Sequence, residues 1–178
     1  MFKFFHKFKN PYPPISNPSP DYLKKERIWN NTMQLWPLIN HSKAPAKMKR
    51  IIMELNQTSY DSLMLMKPEI KNLPKIIHDH ESITIADSGD LNGMTVLMIL
   101  TNVRLIFVNF DLIKRTCKQT SIPIRQLMFT RNYHWATKVN LMKIGSGANE
   151  IDVRGVRNGN QFAKAINHLL AIRRDNSR

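Results

Sequence analysis

Residues 93–110, GMTVLMILTNVRLIFVNF, decide how the rest of the chain is read. A run of this length and hydrophobicity approaches a membrane span, but Thr101, Asn102 and Arg104 interrupt it near the middle, where a charge in lipid is costly. The β-branched and aromatic residues on either side of that break point instead to two buried strands, Met94 to Leu100 and Arg104 to Phe110. They reverse at Thr101-Asn102-Val103, where an asparagine can adopt the positive φ of a tight turn.

Outward from this hairpin, strand patterns continue on both sides. Ser82 to Ala86 is a strand upstream, followed by a turn-rich loop through Asp87-Ser88-Gly89-Asp90 to Asn92-Gly93. Downstream, Asp111 to Lys118 is a polar loop, and strands are predicted at Thr120–Pro123, Gln126–Arg131, Lys138–Ile144 and Glu150–Arg154. Gly145-Ser146-Gly147-Ala148-Asn149 closes the last hairpin. A helix capped by Asn160 follows, with Phe162, Ile166, Leu169 and Leu170 on one face and Arg173 and Arg174 at its C-terminal dipole. That amphipathic face must dock on the sheet.

Before residue 80 the period is helical. Asp21 after Pro20 is a candidate N-cap, and Tyr22, Trp29, Met33 and Trp36 share a face, with no proline until Pro37. After Pro45, the residues Met48, Ile51, Ile52 and Leu55 form an i, i+3, i+4, i+7 stripe. Two short helices are predicted over Ser59–Met66 and Pro68–His78, the second kinked or broken at Pro74. The chain therefore divides into an arm and proline-rich linker (1–20), a helical extension (21–79) and a strand-rich domain (80–178).

This order of elements resembles a known family. Seven short strands and one C-terminal amphipathic helix is the order of a pleckstrin-homology (PH) domain. Residues 93–108 resemble the signature hairpin of the bacterial PH and GRAM families, in which a glycine leads an apolar strand into Thr-Asn-x-Arg-Leu-Ile-Phe. Glu81-Ser82-Ile83 is similar to their first strand, and Ser121-Ile122-Pro123-Ile124 to the segment after a polar loop. The resemblance covers residues 75–174. It implies an α+β fold, a curved seven-stranded antiparallel β-sandwich or barrel capped by the final helix. It also implies a binding module without catalytic residues. Phosphoinositide-binding PH domains carry several basic residues after the first strand. Here that segment holds Asp87 and Asp90, which speaks against specific phosphoinositide recognition.

Composition sets the class of partner. With 27 Lys and Arg against 13 Asp and Glu, the 178-residue chain carries a formal charge of +14. Such a balance favours anionic partners: a membrane surface, nucleic acid or an acidic protein. On the loop after the hairpin, Lys114, Arg115 and Lys118 form the candidate anion-facing patch, with an ordinary solvated loop as the competing reading. In the N-terminal arm, Lys3, Lys7 and Lys9 alternate with Phe4, Phe5 and Phe8. That pattern suits an interfacial anchor, an arm folded back on the domain or a partly disordered terminus. Tyr133-His134-Trp135 beside Arg131 and Lys138 could face a ligand, but core packing is the simpler expectation.

Catalysis and metal binding find little support. His78-Asp79-His80-Glu81 contains ligand-type residues but reads as a polar connector. Gly145-Ser146-Gly147 lacks the rest of a phosphate loop, and no nucleophile elbow appears. A single cysteine, Cys117, cannot form an internal disulfide, in keeping with a reducing compartment. The expectation is a non-enzymatic cytoplasmic module without cofactor, acting on a protein partner or reversibly at an anionic membrane. A nucleic-acid-associated protein and a structural or assembly subunit are the alternatives.

Overall fold

The apolar run folds as the central hairpin of a curled, antiparallel seven-stranded sheet. A computed structural model of the chain describes residues 11–58, 65–134, 140–147 and 149–175. The strands are β1 (Ile83–Leu91), β2 (Met94–Thr101), β3 (Arg104–Asp111), β4 (Thr116–Pro123), β5 (Leu127–His134), β6 (Asn140–Ser146) and β7 (Asn149–Arg154). Their order across the sheet is β4-β3-β2-β1-β7-β6-β5. Among the described residues, α1 (Pro20–Asn40), α2 (Pro45–Thr58) and α3 (Lys67–Ile76) precede them, and α4 (Gly159–Asp175) follows.

The absence of alternation in β2 and β3 has a direct cause, because both faces of these strands are buried. Val96, Met98 and Leu100 on β2, with Leu105 and Phe107 on β3, point into the curl of the sheet. There they pack on Phe162, Ile166 and Leu170 of α4. The intervening Leu97, Ile99, Ile106 and Val108 face the other way, onto Met48, Ile51, Ile52 and Leu55 of α2 and Ile70 and Leu73 of α3. The helical stripe expected after Pro45 is therefore buried on the back of the sheet. Pairing across the hairpin keeps like with like: Met98 lies opposite Phe107, and Ile99 opposite Ile106.

Several local expectations are corrected. Strand β1 does not stop at Ala86 but runs through Asp87-Ser88-Gly89-Asp90 to Leu91. The real turn is Asn92-Gly93, both residues at positive φ (55° and 79°), the two-residue reversal that suits strand twist. Gly89 serves a different purpose from a turn glycine. A Cβ there would lie 2.5 Å from Val153 Cγ1, so its absence allows β7 to cross against β1 where the sheet curls. Asp87 is buried and accepts from the Asn158 backbone N–H at 2.9 Å, at the start of α4. That helix begins at Gly159, so Asn160 lies in its first turn and not at its cap.

The central reversal is also built differently from the expectation. Asn102 is not among the residues at positive φ. Instead the Thr101 hydroxyl accepts from Val103 N (3.2 Å) and Arg104 N (3.1 Å), while Asn102 Oδ1 accepts from Ser82 N at 3.0 Å. In α1 the N-cap is Ser19, whose hydroxyl accepts from Tyr22 N, and Pro37 lies inside the helix instead of ending it. The fully buried face of α1 is Asn31, Leu35 and Ile39, with Tyr22, Trp29, Met33 and Trp36 only half-buried. Helix α3 passes through Pro74 and ends two residues later. The helix predicted over Ser59–Met66 falls mostly outside the described residues, where only Leu65 and Met66 form a short turn.

Candidate anion-facing surface

The two ends of β3 differ sharply, and α3 connects them. At the lower end, the Arg104 guanidinium makes a two-pronged contact with Glu81. Its Nε donates to Oε1 at 2.7 Å and its Nη2 to Oε2 at 3.0 Å. Nη2 also donates to the Ile76 carbonyl at the end of α3, at 2.7 Å. Glu81 is only 1% exposed. Burial opposes its ionisation, yet the Arg104 guanidinium and the His78 backbone N–H together hold its carboxyl below the ordinary value. The stretch expected to be a polar connector is thus an anchor. Arg50 of α2 donates to the carbonyls of His78, Asp79 and Glu81, and Lys47 pairs with Asp79 at 2.7 Å. Among the described residues, no group of three or more His, Cys, Asp and Glu could hold a metal ion.

At the upper end, β3 and β4 are joined by a four-residue turn, Leu112-Ile113-Lys114-Arg115. Asp111 shapes it: one carboxylate oxygen accepts from Ile113 N (3.1 Å) and Lys114 N (3.0 Å). Arg115 closes it at φ 51°, a left-handed conformation unusual for a non-glycine residue. Lys114 and Arg115 are therefore exposed on the turn, as anticipated. Lys118 is not on a loop: β4 starts at Thr116, and Lys118 pairs with Asn109 in the ladder, its exposed ammonium 3.9 Å from Asp111.

Two features of this end were not anticipated. The turn carries Leu112 at 79% and Ile113 at 95% exposure. The second feature is α3, which runs antiparallel to β3 and reaches the same end. Glu69 in its first turn accepts from Phe110 N at 3.0 Å, and the Pro68 carbonyl lies 3.9 Å from Cys117 Sγ. Lys67, Lys71 and Lys75, four residues apart along one stripe of α3, are all exposed. The i, i+4, i+8 lysine spacing was present in the sequence, but the helix was expected to begin at Pro68 and to kink or break at Pro74, which left the three lysines off one continuous stripe. Burial pushes the Cys117 thiol pKa up, and Glu69 adds to the effect, so this cysteine is a poor nucleophile.

The upper end thus combines Lys67 and Lys71 from α3 with Lys114, Arg115 and Lys118 from the hairpin, while Lys75, one residue before Ile76, lies toward the lower end. Both local carboxylates are engaged by backbone N–H groups, Glu69 by Phe110 and Asp111 by the turn. Lys3, Lys7, Lys9, Phe4, Phe5 and Phe8 lie outside the described residues, as do Trp135, Lys138 and the side chains of Tyr133 and His134. Among the described residues, no helix is long and apolar enough to cross a membrane.

No family model matches the sequence, and no curated protein matches it either. Solved structures with a similar course include a DUF1696 family protein with a pleckstrin-homology domain from Shewanella loihica PV-4. It is 14% identical, with 56% of this chain and 87% of that one covered, at a TM-score of 0.43. A pleckstrin-homology domain from Shewanella amazonensis SB2B is 15% identical, covering 56% and 93% of the two chains, at a TM-score of 0.42. In its own strand order and closing helix, the curled sheet of this chain is PH-like, as the hairpin signature implied.

Proposed function

We propose that the chain is a non-catalytic PH-like binding module that attaches reversibly to an anionic membrane surface from the cytoplasmic side. The observation that carries this is the gathering of five basic side chains, Lys67 and Lys71 from α3 and Lys114, Arg115 and Lys118 from the β3–β4 hairpin, toward one end of β3. The acidic neighbours there are held by backbone N–H groups. Each cation near an anionic bilayer contributes about 1 kcal/mol, so several acting together give measurable yet reversible attachment. The Lys3, Lys7 and Lys9 arm, with its Phe4, Phe5 and Phe8 rings, would add to the same attraction.

Co-sedimentation with phosphatidylserine-containing vesicles, against phosphatidylcholine alone, tests this. Pelleting confined to the anionic vesicles and weakening with salt is expected, because exposed charges are screened. If the protein stays in the supernatant with anionic vesicles even at low salt, the proposal fails. Duplex DNA serves as a polyanion control: a stronger, steeply salt-dependent affinity for DNA than for vesicles would move the assignment to nucleic acid.

A further inference from the structure

The basic end of the molecule is tipped by aliphatic side chains that the fold holds out in solvent. Leu112 and Ile113 occupy the crown of the β3–β4 turn at 79% and 95% exposure, and Leu65, just before α3, is 84% exposed. They lie at one end of the molecule. Helix α3 is fixed along β3 at both of its ends, by Glu69 to Phe110 N and by Arg104 to the Ile76 carbonyl. Leu65 precedes Glu69 by four residues and Leu112 follows Phe110 by two. Both therefore lie past the Glu69–Phe110 anchor at the upper end of β3, Leu112 by roughly 6 Å along the strand. The turn that carries Leu112 and Ile113 is braced by the Asp111 carboxylate, so the two side chains are presented on a fixed support. Met66, between Leu65 and the helix, is by contrast 3% exposed and belongs to the core. One residue of this pair is used inward and the other is displayed.

We propose that Leu65, Leu112 and Ile113 form a wedge that enters the hydrocarbon edge of a lipid bilayer, with Lys67, Lys71, Lys114, Arg115 and Lys118 as a collar at the phosphates. The occupant is a membrane rather than a protein groove because cations surround the aliphatic residues on both the helix and hairpin sides. Among the described residues, the carboxylates nearest the tip are engaged: Glu69 accepts from Phe110 N, and Asp111 accepts from the turn and lies 3.9 Å from the Lys118 ammonium. An aliphatic tip inside a ring of lysines matches the depth profile of an anionic leaflet, apolar below and negative above. The inference rests on the membrane reading of the basic end and adds to it the depth and orientation of attachment. The helical extension supplies Leu65 and the sheet domain supplies Leu112 and Ile113.

The test uses the full chain and phosphatidylserine-containing vesicles. The double variant Leu112→Ser/Ile113→Ser is expected to keep its fold and most of its binding at low salt. At high salt, where charges are screened and the apolar contribution remains, it should bind roughly tenfold or more weakly than wild type. In a second measurement, Ile113→Trp should show extra emission quenched by acyl-chain-brominated lipid, above that of the unmodified protein. Wild-type binding whose salt dependence is unchanged in the double variant, with no extra quenching, would leave electrostatic association standing and remove the wedge. Absence of any vesicle binding would overturn both. A fall in sedimentation coefficient on Leu112→Ser/Ile113→Ser, without change in vesicle binding, would make this tip a contact between copies and overturn insertion.

Discussion

The two ends of β3 carry arginine and lysine residues that look alike in a sequence and act in opposite ways. At the lower end Arg104 is mostly buried, with a carboxylate and a helix C-terminal carbonyl on its guanidinium. At the upper end Lys114 and Arg115 stand in solvent on a turn whose acidic residue is occupied by backbone. What separates them is the number of acceptors within reach and the water each loses on folding. A buried guanidinium without Glu81 would be costly, whereas an exposed lysine without a partner is not. Charge therefore marks structure at one end of this strand and stays exposed to solvent at the other.

The sharpest way to break that contrast is Arg104→Ala, which strands the buried Glu81 carboxylate and frees the end of α3. A loss of about 3–5 kcal/mol is expected in chemical denaturation, with vesicle binding by the remaining folded fraction intact. If stability were unchanged, Arg104 would not be the anchor described. The converse variant, Lys114→Ala/Arg115→Ala/Lys118→Ala, should weaken attachment to anionic vesicles by about 3 kcal/mol. Its unfolding midpoint should move little, since exposed charges contribute within about 0.5 kcal/mol each.

Smaller effects refine the same picture. Gly89→Ala forces a methyl against Val153 and should cost about 1–3 kcal/mol in thermal or denaturant unfolding. Acid probes Glu81 from another side. Because its folded-state pKa lies below the ordinary value, its contribution is fully present above that value and is lost as pH falls through the folded pKa. Stability of wild type should decline over that acidic window, and Glu81→Gln should flatten the decline while lowering stability at neutral pH. The smallest effect expected is from Arg115→Gly. Relief of the left-handed strain and the added unfolded-state freedom nearly offset each other, leaving a change of about 0.5 kcal/mol or less. A steep loss of stability there would show that the Arg115 side chain has a structural contact.

Much of the strand order was legible because hydrophobic runs in β2 and β3 are long and bounded by turn residues. The stripe Met48, Ile51, Ile52 and Leu55 was legible for a similar reason, since helical period and burial coincide in it. What misled was local chemistry with two uses. Asp87-Ser88-Gly89-Asp90 has the composition of a turn, but Gly89 is there for close strand crossing and Asp87 for the start of α4. Lysines at 67 and 71 were visible as letters, yet nothing in their spacing placed them beside a hairpin some forty residues later.

The sequence by itself determined that a buried antiparallel hairpin would organise a strand-rich domain closed by an amphipathic helix, because periodicity and side-chain shape act locally. It also determined the excess of positive charge. Only the tertiary structure decided which charges face inward. It set α3 along β3, giving Arg104 its acceptors at one end and joining two sets of lysines around exposed aliphatic residues at the other. The physical reason is that desolvation and proximity depend on what packs across from a residue, and that neighbour is distant in the chain.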